Sequence, residues 1–171
     1  MNVVLPHLPA LQVVIPLIAA PLCLLAGRAS LAWTIAFLAS ACATAAAAIL
    51  AYQTLHHGPI SYHMGGWAPP WGIEILVDSA NAFILLLVSS IAAVVLLYCP
   101  SSIKKEIQFG QEHMFYCMFI LCLTGLLGIA ISGDAFNIFV FLEISSLSSY
   151  ALIAMGSQRK ALTASFQYLI M

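Results

Sequence analysis

Five apolar runs of about twenty residues each, divided by short polar stretches, leave this chain few ways to fold. A run of that length spans a hydrocarbon core roughly 30 Å thick as a helix. Inside lipid every backbone N–H and C=O must find a partner, and a helix provides one within the segment itself. The spans read as Leu8–Ala26, Ser30–Tyr52, Val77–Cys99, His113–Ser132 and Ala135–Met155, with a sixth opening near Leu162 and running to Met171. Composition agrees: 63% of the 171 residues are hydrophobic and 6% charged, with a mean hydropathy of +1.06. Soluble domains carry about 25% charged residues. The expectation is an all-α polytopic transmembrane bundle, residues 1–171 forming one domain in the lipid bilayer. A net charge of −1 without a basic patch offers nothing to nucleic acid.

Local signals refine the spans. Pro16 and Pro21 should bend the first, which a membrane helix tolerates when neighbours satisfy the freed carbonyls. The first basic residue is Arg28, so the N-terminus lacks the positive segment of a cleaved signal peptide and reads as an uncleaved span. The alanine-rich part of span 2, Ala41, Ala43 and Ala45 to Ala48, permits close helix contact. Asp78 is placed to N-cap span 3, and Ser132-Gly133-Asp134 to turn span 4 into span 5. All five basic residues fall in alternate loops: Arg28, then Lys104 and Lys105, then Arg159 and Lys160. The positive-inside rule puts these loops in the cytoplasm of an inner-membrane protein and the N-terminus outside.

The longest external segment, about Gln53–Leu76, holds His56, His57, His63 and Gly65-Gly66-Trp67-Ala68-Pro69-Pro70-Trp71-Gly72. Ile73, Ile75 and Val77 alternate with Glu74 and Leu76, which predicts a short hairpin over the bundle between spans 2 and 3. Trp67 and Trp71 suit the membrane interface, and Glu74 and Asp78 read as solvated or capping. The histidine spacing matches no metal-ligand pattern. Next to Glu112, His113 reads as interfacial. Cys23, Cys42, Cys99, Cys117 and Cys122 read as small buried hydrophobes. No phosphate loop, nucleophile triad or cofactor motif occurs, so no cofactor or metal is expected, and the chain reads as a transporter component, not an enzyme.

Glu143 carries the function signal. It lies about 15 Å along span 5 from Gly133, near the midplane, where a carboxylate costs several kcal/mol unless paired, hydrated or protonated. Intramembrane acids accompany proton or ion movement. Ser146 and Tyr150 follow at i+3 and i+7 on the same stripe, where hydroxyls can bond the acid or hold water. The alternative is that the span's serines pack and Glu143 bonds a neighbouring helix. Asp134 stands at the external end of span 5, either as its N-cap or as an external uptake point for protons.

Two segments, Gly65-Gly66-Trp67 through Gly72-Ile73-Glu74-Ile75-Leu76-Val77-Asp78-Ser79 and Gly133-Asp134-Ala135-Phe136-Asn137-Ile138-Phe139-Val140-Phe141-Leu142-Glu143 followed by Ser149-Tyr150-Ala151-Leu152, resemble a known family. It comprises the antiporter-like membrane subunits of Mrp-type multisubunit sodium/proton antiporters, NADH:quinone oxidoreductases and membrane hydrogenases. The wording is most similar to the D-type subunit of the Mrp antiporters, and the likeness runs over essentially the whole chain. It implies that Glu143 is the fifth-helix glutamate that pairs, in the family, with a seventh-helix lysine during proton transfer. That lysine has no counterpart in these residues. The resemblance therefore implies the first third of a proton-translocating subunit: a fragment, a split gene product or a truncated paralogue. Implied partners are other membrane subunits, protons and sodium ions. The rival readings are the same module in a redox-driven pump, and a non-transporting membrane brace.

Overall fold

The computed structural model describes residues 5–67, 71–107 and 110–170. It is a bundle of α1 (Leu8–Ala26), α2 (Ala29–His57), α3 (Ser79–Glu106), α4 (Glu112–Ile131), α5 (Ala135–Ala154) and the shorter α6 (Arg159–Ile170). Two strands, β1 (Ile60–His63) and β2 (Glu74–Val77), lie between α2 and α3. The first five helices are long and apolar enough to cross a membrane. Packing runs α1 on α2, α2 on α3, α3 on α4 and α4 back on α1, which closes a four-helix ring. From this ring α5 leans outward against α4, and α6 against α5.

Small residues set the ring's spacing. Ala32, Ala36, Ala39, Ala43 and Ala47 are buried on one stripe of α2, three or four residues apart, so neighbouring backbones approach closely. Gly27 ends α1 in a left-handed conformation (φ 60°) that a side chain would disfavour.

Prolines inside the helices are handled individually. Pro100 falls within α3, which continues to Glu106 instead of ending at Cys99 as the sequence suggests. Proline has no N–H, so the Leu96 carbonyl four residues earlier loses its helical donor. The Trp33 indole N–H of α2 donates to that carbonyl at 2.8 Å. Lys104 and Lys105 therefore lie in the last turn of α3, not in a loop, where their charge complements the helix dipole. Arg159 and Lys160 likewise open α6, three residues before the expected start at Leu162.

The hairpin forms as expected. It pairs β1 with β2 antiparallel, Ile60 opposite Val77 and His63 opposite Glu74. Ile75 (3% exposed) and Val77 (0%) face the bundle, whereas Ile73 lies outside the strand and is exposed. Ala68, Pro69 and Pro70 of its connecting segment lie outside the described residues. Trp67 and Trp71 stand out at 68% and 87% exposure, suited to an interface. His56 and His57 are not loop residues. They complete the last turn of α2, which Gly58 terminates. Cysteines are less uniform than expected: all five are free, Cys42 is exposed and Cys122 half-buried. Cys42 lies off the buried stripe of α2, and Cys122 faces α5 from α4.

Candidate functional site

α5 meets α4 through glycine. A Cβ at Gly125 would lie 2.7 Å from the Ser145 Cβ, and one at Gly128 would overlap the Phe141 ring. Phe141, Ser145 and Ser148 recur at i, i+4 and i+7, and they form the face that α4 covers. At about 100° per residue, Glu143 points roughly 140–160° away from these three residues. Ser146 and Tyr150 fall beside it. The structure thus sets Glu143, Ser146 and Tyr150 on one outward face. It does not join them by hydrogen bonds among the described residues.

Glu143 is exposed on this face, and among the described residues no hydrogen bond or ion pair reaches its carboxylate. Phe136, Phe139, Val140, Leu142 and Leu147 of the same helix are also exposed. In a bilayer an ionised carboxylate in such surroundings is costly until a polar group or water meets it. Tyr150 is half-covered by α6: its ring meets Tyr168 edge-on at 5.3 Å, and the Ser165 hydroxyl donates to its carbonyl at 3.0 Å.

The other serines of α5 turn inward. Ser148 donates to the Ile144 carbonyl (2.6 Å) and Ser149 to the Ser145 carbonyl (2.8 Å). The Cys122 thiol lies 3.5 Å from the Ser149 hydroxyl. These are back-bonded packing residues. Asp134 caps α5, its Oδ1 accepting the Phe136 N–H at 3.3 Å. The preceding turn is pinned to the hairpin, since the Gly133 N–H donates to the Glu74 carbonyl and Ser132 bridges to Ile75.

Glu74 is neither free nor a cap. Its carboxylate accepts the Ser61 hydroxyl at 2.6 Å and pairs with His63 at 3.9 Å. No group of three His, Cys, Asp or Glu side chains able to hold a metal occurs among the described residues. His56 and His57 end α2, while His63 sits on β1.

Sequence reasoning misses Gln12. It is fully buried in α1, and neither amide atom has a hydrogen-bond partner among the described residues. Pro16 four residues later also removes the helical donor for the Gln12 carbonyl. A glutamine four residues before a proline in an otherwise apolar span is the signal that marks it.

No family model matches the chain. It is 41% identical over 167 residues to the N-type subunit of NADH-quinone oxidoreductase from Desulforudis audaxviator, covering 96% of the chain and 33% of that protein. It is 30% identical over 121 residues to the D-type subunit of the Na(+)/H(+) antiporter from Alkalihalophilus pseudofirmus, covering 71% of the chain and 24% of that protein. Among solved structures it is similar to a chain of the membrane-bound sulfane sulfur reductase, an archaeal respiratory membrane complex. There the TM-score is 0.87 at 27% identity, over 96% of this chain and 34% of that one. The chain spans a third or less of the length of the curated relatives it matches.

Proposed function

We propose, since this chain belongs to the family of antiporter-like membrane subunits, that it carries the proton-relay helix of a monovalent cation/proton antiporter. The observation that carries this reading is Glu143, a carboxylate midway along α5 on the face that α4 leaves uncovered. Glu143 holds and releases the proton. Ser146 and Tyr150, beside it, support a hydrated path. Asp134 caps α5 at the opposite end of the helix from the basic residues and offers protons an external uptake point. The charge that Glu143 needs comes from another helix, in line with the family's glutamate–lysine pairing. Partners are other membrane subunits of the complex, with protons and sodium ions as the transported species.

The test is proton flux in everted vesicles at matched protein levels. Glu143→Gln keeps shape and hydrogen bonding but cannot bind and release a proton near neutral pH. Flux should fall at least about tenfold, whereas Glu143→Asp should retain part of it and Ser146→Ala most of it. Wild-type flux from the glutamine variant would remove Glu143 from the path and favour a bracing role.

The orientation proposed with this function places the basic ends of α3 and α6 in the cytoplasm and the hairpin outside. An impermeant thiol reagent added outside should label a cysteine introduced at Ile60 and spare one at Lys104, and the opposite pattern would invert the orientation.

A second reading is supported by the 41% identity to a membrane component of NADH-quinone oxidoreductase. In it the same helix serves a redox-driven pump. Co-purification of iron–sulfur subunits with a tagged copy would favour it over the antiporter.

A further inference from the structure

We propose that the cavity at the basic end of the four-helix ring binds the headgroup of a phospholipid bearing a primary ammonium, a phosphoethanolamine lipid. The cavity measures about 410 Å³ and lies between the start of α2, the end of α3 and the start of α4. Ser30, Trp33, Pro100, Lys104, Glu112 and Tyr116 line it.

Both signs of charge face this space. Lys104 and Glu112 share the cavity but form no ion pair with each other. A cation and an anion held apart across one cavity match a zwitterion, phosphate on the lysine and ammonium on the carboxylate. Tyr116, a residue only 3% exposed, supplies a further polar group to the lining. α2 begins at this cavity: Ala29 and Ser30 of its first turn line it, and its N-cap Arg28 makes no side-chain capping bond. A helix N-terminus of this kind favours the phosphate. The Trp33 N–H is taken by the Leu96 carbonyl, so the indole offers only its ring as a wall.

Depth selects a lipid over a soluble ion. The 28 residues of α3 extend about 42 Å, longer than a hydrocarbon core of roughly 30 Å, so its last turns reach the headgroup layer. Leu31 and Leu97, within one turn of the cavity lining, are exposed and offer acyl chains an apolar seat. Choline lipids present a quaternary nitrogen without a donor for Glu112, and glycerol headgroups present no cation at all.

The experiment is thermal unfolding of the purified, delipidated full-length protein in detergent, with phosphatidylethanolamine, phosphatidylcholine or phosphatidylglycerol added. Phosphatidylethanolamine should raise Tm by about 5 °C and each of the others by less than half as much. Lys104→Gln and Tyr116→Phe should shrink the phosphatidylethanolamine shift, and Glu112→Gln should erase its advantage over phosphatidylcholine. Equal shifts from all three lipids, or full shifts in the Lys104 variant, would overturn the proposal. Soluble phosphoethanolamine that matches the lipid at equal concentration would overturn the lipid assignment. Where a variant fails to fold, native mass spectrometry of the wild type decides. A phosphatidylethanolamine adduct that survives excess phosphatidylcholine supports the site, and one that is displaced overturns it.

Discussion

The four-helix ring and the arm of α5 and α6 are both apolar, yet they differ in what covers them. In the ring each helix buries a face: α4 encloses residues from Tyr116 to Ile131, with Ile120, Thr124 and Leu127 fully or almost fully buried. α5 buries only Ser145 and Ser148 among its described side chains. A helix hydrophobic all round serves equally well against lipid or against another helix, so hydropathy alone does not separate these two situations. Polar residues do. The ring's buried hydroxyls, such as Ser89 and Thr124, bond back to their own helices, whereas α5 carries Glu143, the acid within its helical span, on the uncovered side.

The contrast is most easily broken at the seam between α4 and α5. Gly125→Leu would drive a side chain into Ser145, where the nearest atoms include backbone that cannot rotate away. Overpacking of this kind costs about 3 kcal/mol. The expected result is detachment of α5 from α4 with the ring intact. A cysteine replacing Ser149, placed beside the native Cys122, should form a disulfide in the parent and lose it on Gly125→Leu. Undiminished cross-linking would mean that the seam does not depend on glycine.

The same contrast explains what can be read from the chain alone. Spans, order, hairpin and the aspartate at the start of α3 are legible because each rests on local pattern: run length, alternation, a carboxylate three residues before a free N–H. The end of α3 is not, because Pro100 stops a helix unless something takes the orphaned carbonyl. That something is Trp33, 63 residues away and on another helix. His56 and His57 read as loop residues by their polarity, although Gly58 marks the true end of α2. The outward face of Glu143 is half legible: spacing puts Ser146 and Tyr150 beside it. Which side α4 covers depends on Gly125 and Gly128, and complementarity between two helices leaves no period in either one.

A smaller effect sharpens the comparison, because both regions begin a helix with a capping aspartate. Asp78 accepts the Asn81 N–H at 2.7 Å, and the Asn81 side chain in turn donates to the Leu76 carbonyl at 2.9 Å. Asp134 accepts the Phe136 N–H at a longer 3.3 Å. An N-cap contributes about 1 kcal/mol and weakens as its bond lengthens. Asp78→Ala should therefore lower stability by about 1 kcal/mol, and Asp134→Ala by about half of that or less, both read from thermal unfolding in detergent. Equal losses would mean that the arm's start is held as firmly as the ring's. The conservative variant separates structure from transport. Asn caps as well as Asp does but carries no titratable proton. Asp134→Asn should leave Tm unchanged, and a fall in vesicle proton flux in that variant would assign Asp134 to proton uptake. Unchanged flux would leave it a cap and place the whole proton-handling burden of the arm on Glu143.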